Sequence, residues 1–403
     1  MPTLLQIDTC LNTGSTGRIT EAIGRMANQI GWNCFIIHGA RYANPPSCMK
    51  SYQTVTKIGE YLHYAEGLFL DNHGLSSRHA TRKAIDWIKV IKPDVIHLHC
   101  IHGYYLNYRL LFEYLNSAHI PVVWTFHDCW AFTGHCAYFD RVACEKWKTG
   151  CKKCPLINDY PKALLDASER NYKFKKDLFT QNRRLHIVTV SKWLESLVRQ
   201  SFLQSANIQT IYNGIDINTF KPSDSESLRA KLGLKGERVL LAAATVWAER
   251  KGFADYIKLS RVLRGNTVII LLGLNDSQMS SLPENVIGLK RTESVAELAQ
   301  YYSMADVVLN LSYEETFGLT TAEGMACGTP GIVYNTTASP ELITPETGII
   351  VDSGDIDGLS KAVQIMLSKE KPVDACRKRA VNYFNKEDRF QEYIDLYEVL
   401  VKQ

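Results

Sequence analysis

Two short apolar runs, residues 305–311 and 331–334, bracket the string Glu314-Glu315-Thr316-Phe317-Gly318-Leu319-Thr320-Thr321-Ala322-Glu323-Gly324-Met325-Ala326-Cys327-Gly328-Thr329-Pro330. Continuous apolar runs of this length read as strands buried on both faces of a parallel sheet. Residues 319–326 have helical composition, and Gly328-Thr329-Pro330 stops the helix with a glycine and a proline. The order is therefore strand, loop, helix, strand, with Phe317-Gly318-Leu319 at the helix N-terminus. Backbone N–H groups there are unpaired and lie at the positive end of the helix dipole, which suits a phosphate. Gly318 lets the main chain approach a ligand closely. Seven residues separate Glu315 from Glu323, so one carboxylate precedes the helix and one lies about a turn inside it. The first suits a sugar's hydroxyls and the second a ribose. An isolated surface glutamate is the commoner role for either taken alone.

The whole string resembles the donor-site motif of glycosyltransferase family 4, retaining enzymes of the GT-B fold. That resemblance implies an α/β chain of two Rossmann-like domains with a cleft between them. It also implies a last helix that crosses back to the first domain, and catalysis that needs no divalent ion. The length alone, 403 residues, exceeds what one core usually holds and asks for two domains. Expected boundaries are 1–212 for an acceptor-side domain, 213–384 for the nucleotide-sugar domain, and 385–403 for the crossover helix.

Near the N-terminus, a strand at residues 4–8 runs into Asn12-Thr13-Gly14-Ser15-Thr16-Gly17-Arg18 and then a helical pattern over 19–30. Strand, glycine-rich loop and helix open a Rossmann-like unit, but Gly-x-Gly-x-x-Gly is missing, which disfavours a dinucleotide. A plain tight turn explains one of these glycines. The family has a glycine-rich loop here, which assigns Gly14 and Gly17 to the donor. Helices are expected over 57–68 and 77–91, and strands at 32–38, 93–99 and 121–126. The strand at 93–99 ends in His99-Cys100-Ile101-His102-Gly103-Tyr104-Tyr105-Leu106-Asn107. Ligands of doubly wound sheets gather at such carboxyl ends. A satisfied core histidine competes with a binding role there, and His99, His102 and Asn107 are the acceptor-side candidates. The strand at 121–126 delivers His127-Asp128. By resemblance His127 contacts the donor sugar, and its neutral ring can hydrogen-bond a hydroxyl.

Eleven cysteines are present, and in a chain with no recognisable secretory leader they point to reduced thiols or metal. Cys136, Cys144, Cys151 and Cys154 fall within a loop at 129–155. Structural zinc, free thiols and redox pairs all fit that spacing. Four thiolates in a long irregular loop favour a closed structural zinc site. Together with His-x-x-His-Gly-x-x-Leu-Asn, this loop makes the chain resemble the subgroup that contains colanic-acid glycosyltransferases. Such enzymes build surface or capsular polysaccharide on a lipid carrier. The implied reaction is transfer of a sugar from a UDP- or GDP-linked donor to a lipid-linked saccharide.

In the second domain, a strand at 239–244 precedes Trp247-Ala248-Glu249-Arg250-Lys251-Gly252. Lys251, at a strand-to-helix junction, can neutralise a leaving diphosphate. The family has an arginine five residues before this lysine, and here that position is Val246. Arg250 is the candidate replacement, and Arg291 is expected to border the base. Asp355-Ile356-Asp357 has the spacing of a metal motif but opens a helix, so it reads as an N-cap.

The net charge of +4 is too small to argue for nucleic-acid binding. Residues 141–199 hold fourteen Lys or Arg against six Asp or Glu. That bias is either a solvated face or a patch for anionic lipid. No apolar run reaches the length of a membrane span. The expected location is the cytoplasm, with peripheral contact at the inner face of the membrane. The rival enzyme class is a nucleotide-sugar epimerase of the same fold, which needs no acceptor. A zinc-knuckle binding protein is the non-enzymatic rival.

Overall fold

The structure, a computed structural model, describes residues 1–40 and 44–402. They form two compact units, Met1–Ile211 with Arg389–Gln403, and Tyr212–Asp388.

In the first unit, β1 (Thr3–Ile7), β2 (Asn33–His38), β3 (Lys50–Gln53), β4 (Val95–Leu98), β5 (Val122–Phe126), β6 (Leu185–Thr189) and β7 (Asn207–Thr210) make one sheet. All neighbours are parallel, in the order β3-β2-β1-β4-β5-β6-β7. Every residue of β4 and β5 is buried, as helices on both faces of a parallel sheet require. The helix expected over 19–30 spans Gly14–Gln29. Its first turn is the glycine-rich segment itself, which propensity reads as loop. Packing overrides propensity there: a Cβ on Gly17 would stand 3.1 Å from Cβ of Cys10. A helix spans Ser168–Phe179. The Asp166 carboxylate ends the preceding loop by accepting N–H from Ser168 at 2.8 Å and Cys154 at 2.6 Å.

In the second unit, β8 (Arg238–Ala243), β9 (Thr267–Leu272), β10 (Val286–Leu289), β11 (Val307–Asn310), β12 (Gly331–Tyr334) and β13 (Gly348–Val351) form a parallel sheet. Its order is β10-β9-β8-β11-β12-β13. The Asp355 side chain caps the helix Ile356–Leu367 by accepting from Gly358 N–H at 2.8 Å, so that segment is an N-cap.

The final helix, Lys386–Val401, returns the chain to the first unit. Phe390, Tyr393, Ile394, Tyr397 and Leu400 join Ile19, Ile23 and Trp32 in one buried cluster. No helix among the described residues is long and apolar enough to cross a membrane.

Candidate active site

Strand order reverses between β1 and β4 in one sheet and between β8 and β11 in the other. Ligands of open parallel sheets bind beyond the carboxyl ends of strands at such points. Most of the sequence candidates lie at these two places, with Asn107 and Arg291 outside them.

In the second unit, β8 leads to a 3-10 turn at Glu249–Lys251, and β11 leads to the loop before the helix Leu319–Ala326. The two are laced together. Tyr313 N–H donates to the carbonyl of Arg250 at 2.8 Å, and Arg250 Nη1 donates to the carbonyl of Glu314 at 3.1 Å. Gly252 follows at φ +69°, and a Cβ there would lie 2.1 Å from the carbonyl oxygen of Leu311. Gly252→Ala is therefore expected to cost about 3 kcal/mol, from left-handed strain plus a backbone clash. Urea denaturation measures it, and a cost under about 1 kcal/mol shows that the turn does not need this approach.

Lys251 Nζ pairs with the Glu315 carboxylate, their side chains 20% and 15% exposed. Burial raises the Glu315 pKa, but the Lys251 ammonium and then Arg250 outweigh it, and the carboxyl sits below its ordinary range. Glu315 N–H donates to Thr337 Oγ1 at 2.9 Å, and Ala338 N–H to the Glu315 carbonyl at 3.1 Å. The main chain carrying the carboxylate is thus fixed from β12's side as well. Buried Phe317 anchors the loop with its ring 5.5 Å from that of Phe384. Gly318, at φ +101°, caps the helix Leu319–Ala326 without help from a side chain. Its N-terminal N–H groups carry the dipole's partial positive charge. Inside the helix, Glu323 Oε2 accepts from the hydroxyl of Tyr302 at 3.0 Å. Arg291 is exposed beyond β10, and Val246 is 69% exposed.

In the first unit, β1 ends at buried Asp8, whose carboxyl burial pushes up to about 6. Gly14 at φ +69° faces open space, while Gly17 is packed. His99 Nδ1 lies 3.2 Å from His127 Nε2, and His99 Nε2 lies 3.1 Å from Gln6 Oε1. Gln6 Nε2 donates to the carbonyl of Thr20 at 2.8 Å, which orients the amide and makes Oε1 the acceptor. His99 then carries its proton on Nε2, and its Nδ1 accepts from His127 Nε2–H. Burial pushes both rings down, His127 to about 4, so both are neutral near pH 7.

A small cavity here is lined by His99, His102, His127, Asp128 and Trp130. His102 Nε2 pairs with Asp128 Oδ2 at 3.0 Å, and its Nδ1 lies 3.2 Å from the hydroxyl of Tyr160. Asn107 stands apart from this group. Its Oδ1 caps the helix Tyr108–Ser117 at 3.0 Å from Leu110 N, and its Nδ2 donates to Leu75 O. Gln6, Tyr160 and Trp130 were not singled out by the sequence. A glutamine inside an otherwise apolar buried strand was the one available signal, whereas Tyr160 is brought in only by tertiary folding.

The zinc expectation does not fit this structure. Among the described residues, no three His, Cys, Asp or Glu side chains are placed to share a metal ion. Cys136 and Cys154 face each other, and that contact, with burial, raises the Cys136 thiol while it lowers that of Cys154. Cys151 Sγ accepts from Gly134 N–H at 3.2 Å, and burial pushes its thiol up to about 11. His135 Nδ1 is taken by Asp71 Oδ1 at 2.7 Å. Other forces staple the loop. The rings of Phe132, Phe139 and Trp147 pack with centroids 5.2–6.3 Å apart. Lys175 donates to the carbonyls of Trp130 and Thr133 at 2.7 and 3.1 Å, its ammonium 3.3 Å from the Trp130 ring centroid.

Comparison with known proteins agrees with this architecture over both units. Residues 53–219 match the profile described as Glycosyltransferase Family 4, and residues 224–383 match Glycosyl transferases group 1. WcaC of Escherichia coli (strain K12), named as a colanic acid biosynthesis glycosyl transferase, is 24% identical over 324 residues. That alignment covers 76% of this chain and 77% of WcaC. Sucrose-phosphate synthase of Thermosynechococcus elongatus superposes with a TM-score of 0.73 at 18% identity, over 99% of both chains. Anabaena HepE, solved with UDP-glucose, gives 0.67 at 16% identity, over 98% of this chain and 99% of its own. Matched by these profiles over β4 to β7 of one parallel sheet and β8 to β13 of the other, the chain belongs to the group 1/family 4 glycosyltransferases, retaining enzymes of the GT-B fold.

Proposed function

We propose that the chain transfers a sugar from a UDP- or GDP-linked donor to a lipid-carried saccharide during surface polysaccharide synthesis. The observation that carries the donor half is the Lys251–Glu315 pair beside an N-terminus that no side chain caps. An ammonium and the amides of Phe317, Gly318 and Leu319 suit a diphosphate, with Arg250 and Arg291 as further cations. The Glu315 carboxylate has acceptor sites beyond the one Lys251 uses, and these take sugar hydroxyls. Glu323 takes the ribose. His127, neutral and oriented by the hydrogen bond it donates to His99, accepts from a sugar hydroxyl, and Gly14 gives room for the donor. His102, held between Asp128 and Tyr160, addresses the acceptor. The colanic-acid name of one relative supports a polysaccharide product, and UDP-glucose in Anabaena HepE supports a nucleotide-sugar donor.

A thermal-shift panel of UDP, GDP, ADP and CMP tests this. The matching diphosphate at about 100 times its Kd stabilises by roughly 2.7 kcal/mol. Glu323→Ala is expected to weaken that ligand's binding about tenfold, the loss of a charge-assisted hydrogen bond. Undiminished binding by the variant removes the ribose assignment.

A further inference from the structure

Beyond the carboxyl ends of β4 and β5, three side chains from different parts of the chain form one line of hydrogen bonds. Asp128 follows β5 closely, His102 lies in the loop after β4, and Tyr160 comes from the long irregular stretch after β5. Asp128 Oδ1 accepts from Trp130 N–H at 2.9 Å, and its Oδ2 pairs with His102 Nε2 at 3.0 Å. Burial raises the Asp128 pKa, but the His102 ring and these hydrogen bonds outweigh it and hold the carboxyl below its ordinary value. An ionised carboxylate only accepts, so His102 Nε2 carries a proton, and in the neutral ring Nδ1 is left as an acceptor. The Tyr160 hydroxyl, 3.2 Å from Nδ1, then donates inward. The His102 and Asp128 side chains are 9% and 15% exposed, whereas Tyr160 is 46% exposed. The line thus runs from a sheltered carboxylate to a half-exposed phenol, whose oxygen can accept from a ligand hydroxyl while giving its own proton inward. Trp130 and His73 pack against His102 with ring centroids 4.9 and 5.5 Å away. Burial holds the His73 imidazole well below its ordinary value, so it brings no second cation to the line.

We propose that Tyr160, His102 and Asp128 form a proton relay that takes the proton of the acceptor saccharide's attacking hydroxyl. Hydroxyl, imidazole and carboxylate in hydrogen-bond order is the arrangement by which proteins activate a weak oxygen nucleophile. Here the phenol passes a proton on and does not itself attack. This role rests on the sugar-transfer reading proposed above. His102 lines the same small cavity as His127, so the relay reaches the place where that reading puts the donor sugar. A sugar alcohol is a poor nucleophile until its proton is drawn off, and a positioned base supplies that pull. In the transfer, the acceptor oxygen bonds to the anomeric carbon as the bond from that carbon to the diphosphate breaks. The diphosphate leaves with the electron pair. The acceptor's proton passes to Tyr160 Oη, and the phenol's own proton passes to His102 Nδ1. The resulting imidazolium is held by the Asp128 carboxylate until it gives the proton to water.

Labelling of the full chain with benzenesulfonyl fluoride, followed by peptide mass mapping, tests the relay without knowledge of the acceptor. The phenol oxygen bonds to sulfur, fluoride leaves, and the tyrosine's proton goes to His102, so the rate reports how readily that proton is taken. Tyr61, 70% exposed, is the internal comparison, and exposure alone puts it ahead of Tyr160. The expected result is labelling of Tyr160 about 10²-fold faster than Tyr61, the lower end of what a positioned base contributes. His102→Gln and Asp128→Asn, each checked by its melting temperature, are expected to remove most of that advantage. Tyr160 labelling no faster than Tyr61 overturns the proposal, and so does an advantage that survives in both folded variants. Both variants are expected to keep the parent's thermal shift with the matching nucleoside diphosphate. A reactive Tyr160 in a protein that no nucleoside diphosphate stabilises removes the transferase reading while the relay itself stands. A normal diphosphate shift with an inert Tyr160 removes the relay and leaves the transferase reading.

Discussion

Lys251→Ala is expected to lower turnover by about 10²–10³-fold, the loss typical when one preorganised stabiliser of developing negative charge is removed. The same change also leaves the Glu315 carboxylate, only 15% exposed, without its ion partner. Removing one member of such a pair costs about 3 kcal/mol, because the remaining charge is desolvated and unpaired. Stability and catalysis are therefore confounded in the single variant, and pH separates them. In the parent, burial raises the Glu315 pKa and Lys251 more than offsets it, so the folded carboxyl sits below its unfolded value. Its contribution is present above the unfolded pKa and is lost as pH falls through the folded one. In the variant burial dominates, the folded carboxyl rises above the unfolded value, and acid then favours the folded form. The stability gap between the two proteins should narrow as pH falls from 7 to 5. Lys251→Met/Glu315→Gln has no buried charge and should recover most of the stability in urea but none of the turnover. Recovery of turnover in the double variant would show that Lys251 serves the fold alone.

The strands were legible because apolar runs in parallel sheets are nearly uninterrupted, and β4, β5, β11 and β12 are buried throughout. The turns at Gly252 and Gly318 were legible too, because positive φ leaves a glycine in the sequence. The helix start at Gly14 was not, since two glycines and two hydroxyl residues carry loop propensity that burial against Cys10 overrules. The Cys-rich loop misled for a different reason. Four thiols at knuckle spacing read as ligands, whereas the staple is three aromatic rings and the buried Lys175, a residue twenty-one positions downstream of Cys154 that no local pattern connects to the loop. The helix expected over 57–68 spans Lys57–Leu70, but which of its faces turns inward is fixed only by the tertiary partners of buried Glu60 and His63.

Acidification from pH 7 to 5 should destabilise the first unit and spare the second. All eleven histidines lie between His38 and His186, and residues 212–388 contain none. Burial pushes His63 down from 6.5 to about 4 and holds His73, His97 and His99 well below their ordinary value. A histidine depressed in the folded state binds fewer protons than in the unfolded chain, so its stabilising share is present above about 6.5 and is lost as pH falls toward 4. For His63 alone that loss reaches about 2 kcal/mol by pH 5. His97 adds to it. Its Nδ1 accepts from the Tyr397 hydroxyl at 2.6 Å and its Nε2 bonds Thr125 Oγ1 at 2.8 Å, so it is held neutral between the terminal helix and β5. His127, partly exposed, contributes less. Asp8 opposes the trend: burial raises it to about 6, so its folded form gains protons over the same interval and returns roughly 1 kcal/mol. Several histidines against one aspartate leave a net loss of several kcal/mol, a large share of a unit's total stability. In the second unit the buried carboxylates Asp255 and Glu315 lie below their usual range and titrate outside this window. Amide hydrogen exchange, read unit by unit at pH 7 and 5 and corrected for intrinsic rates, should show protection falling in Met1–Ile211 while Tyr212–Asp388 holds. Equal loss in both units would mean that acid acts through something other than the buried imidazoles.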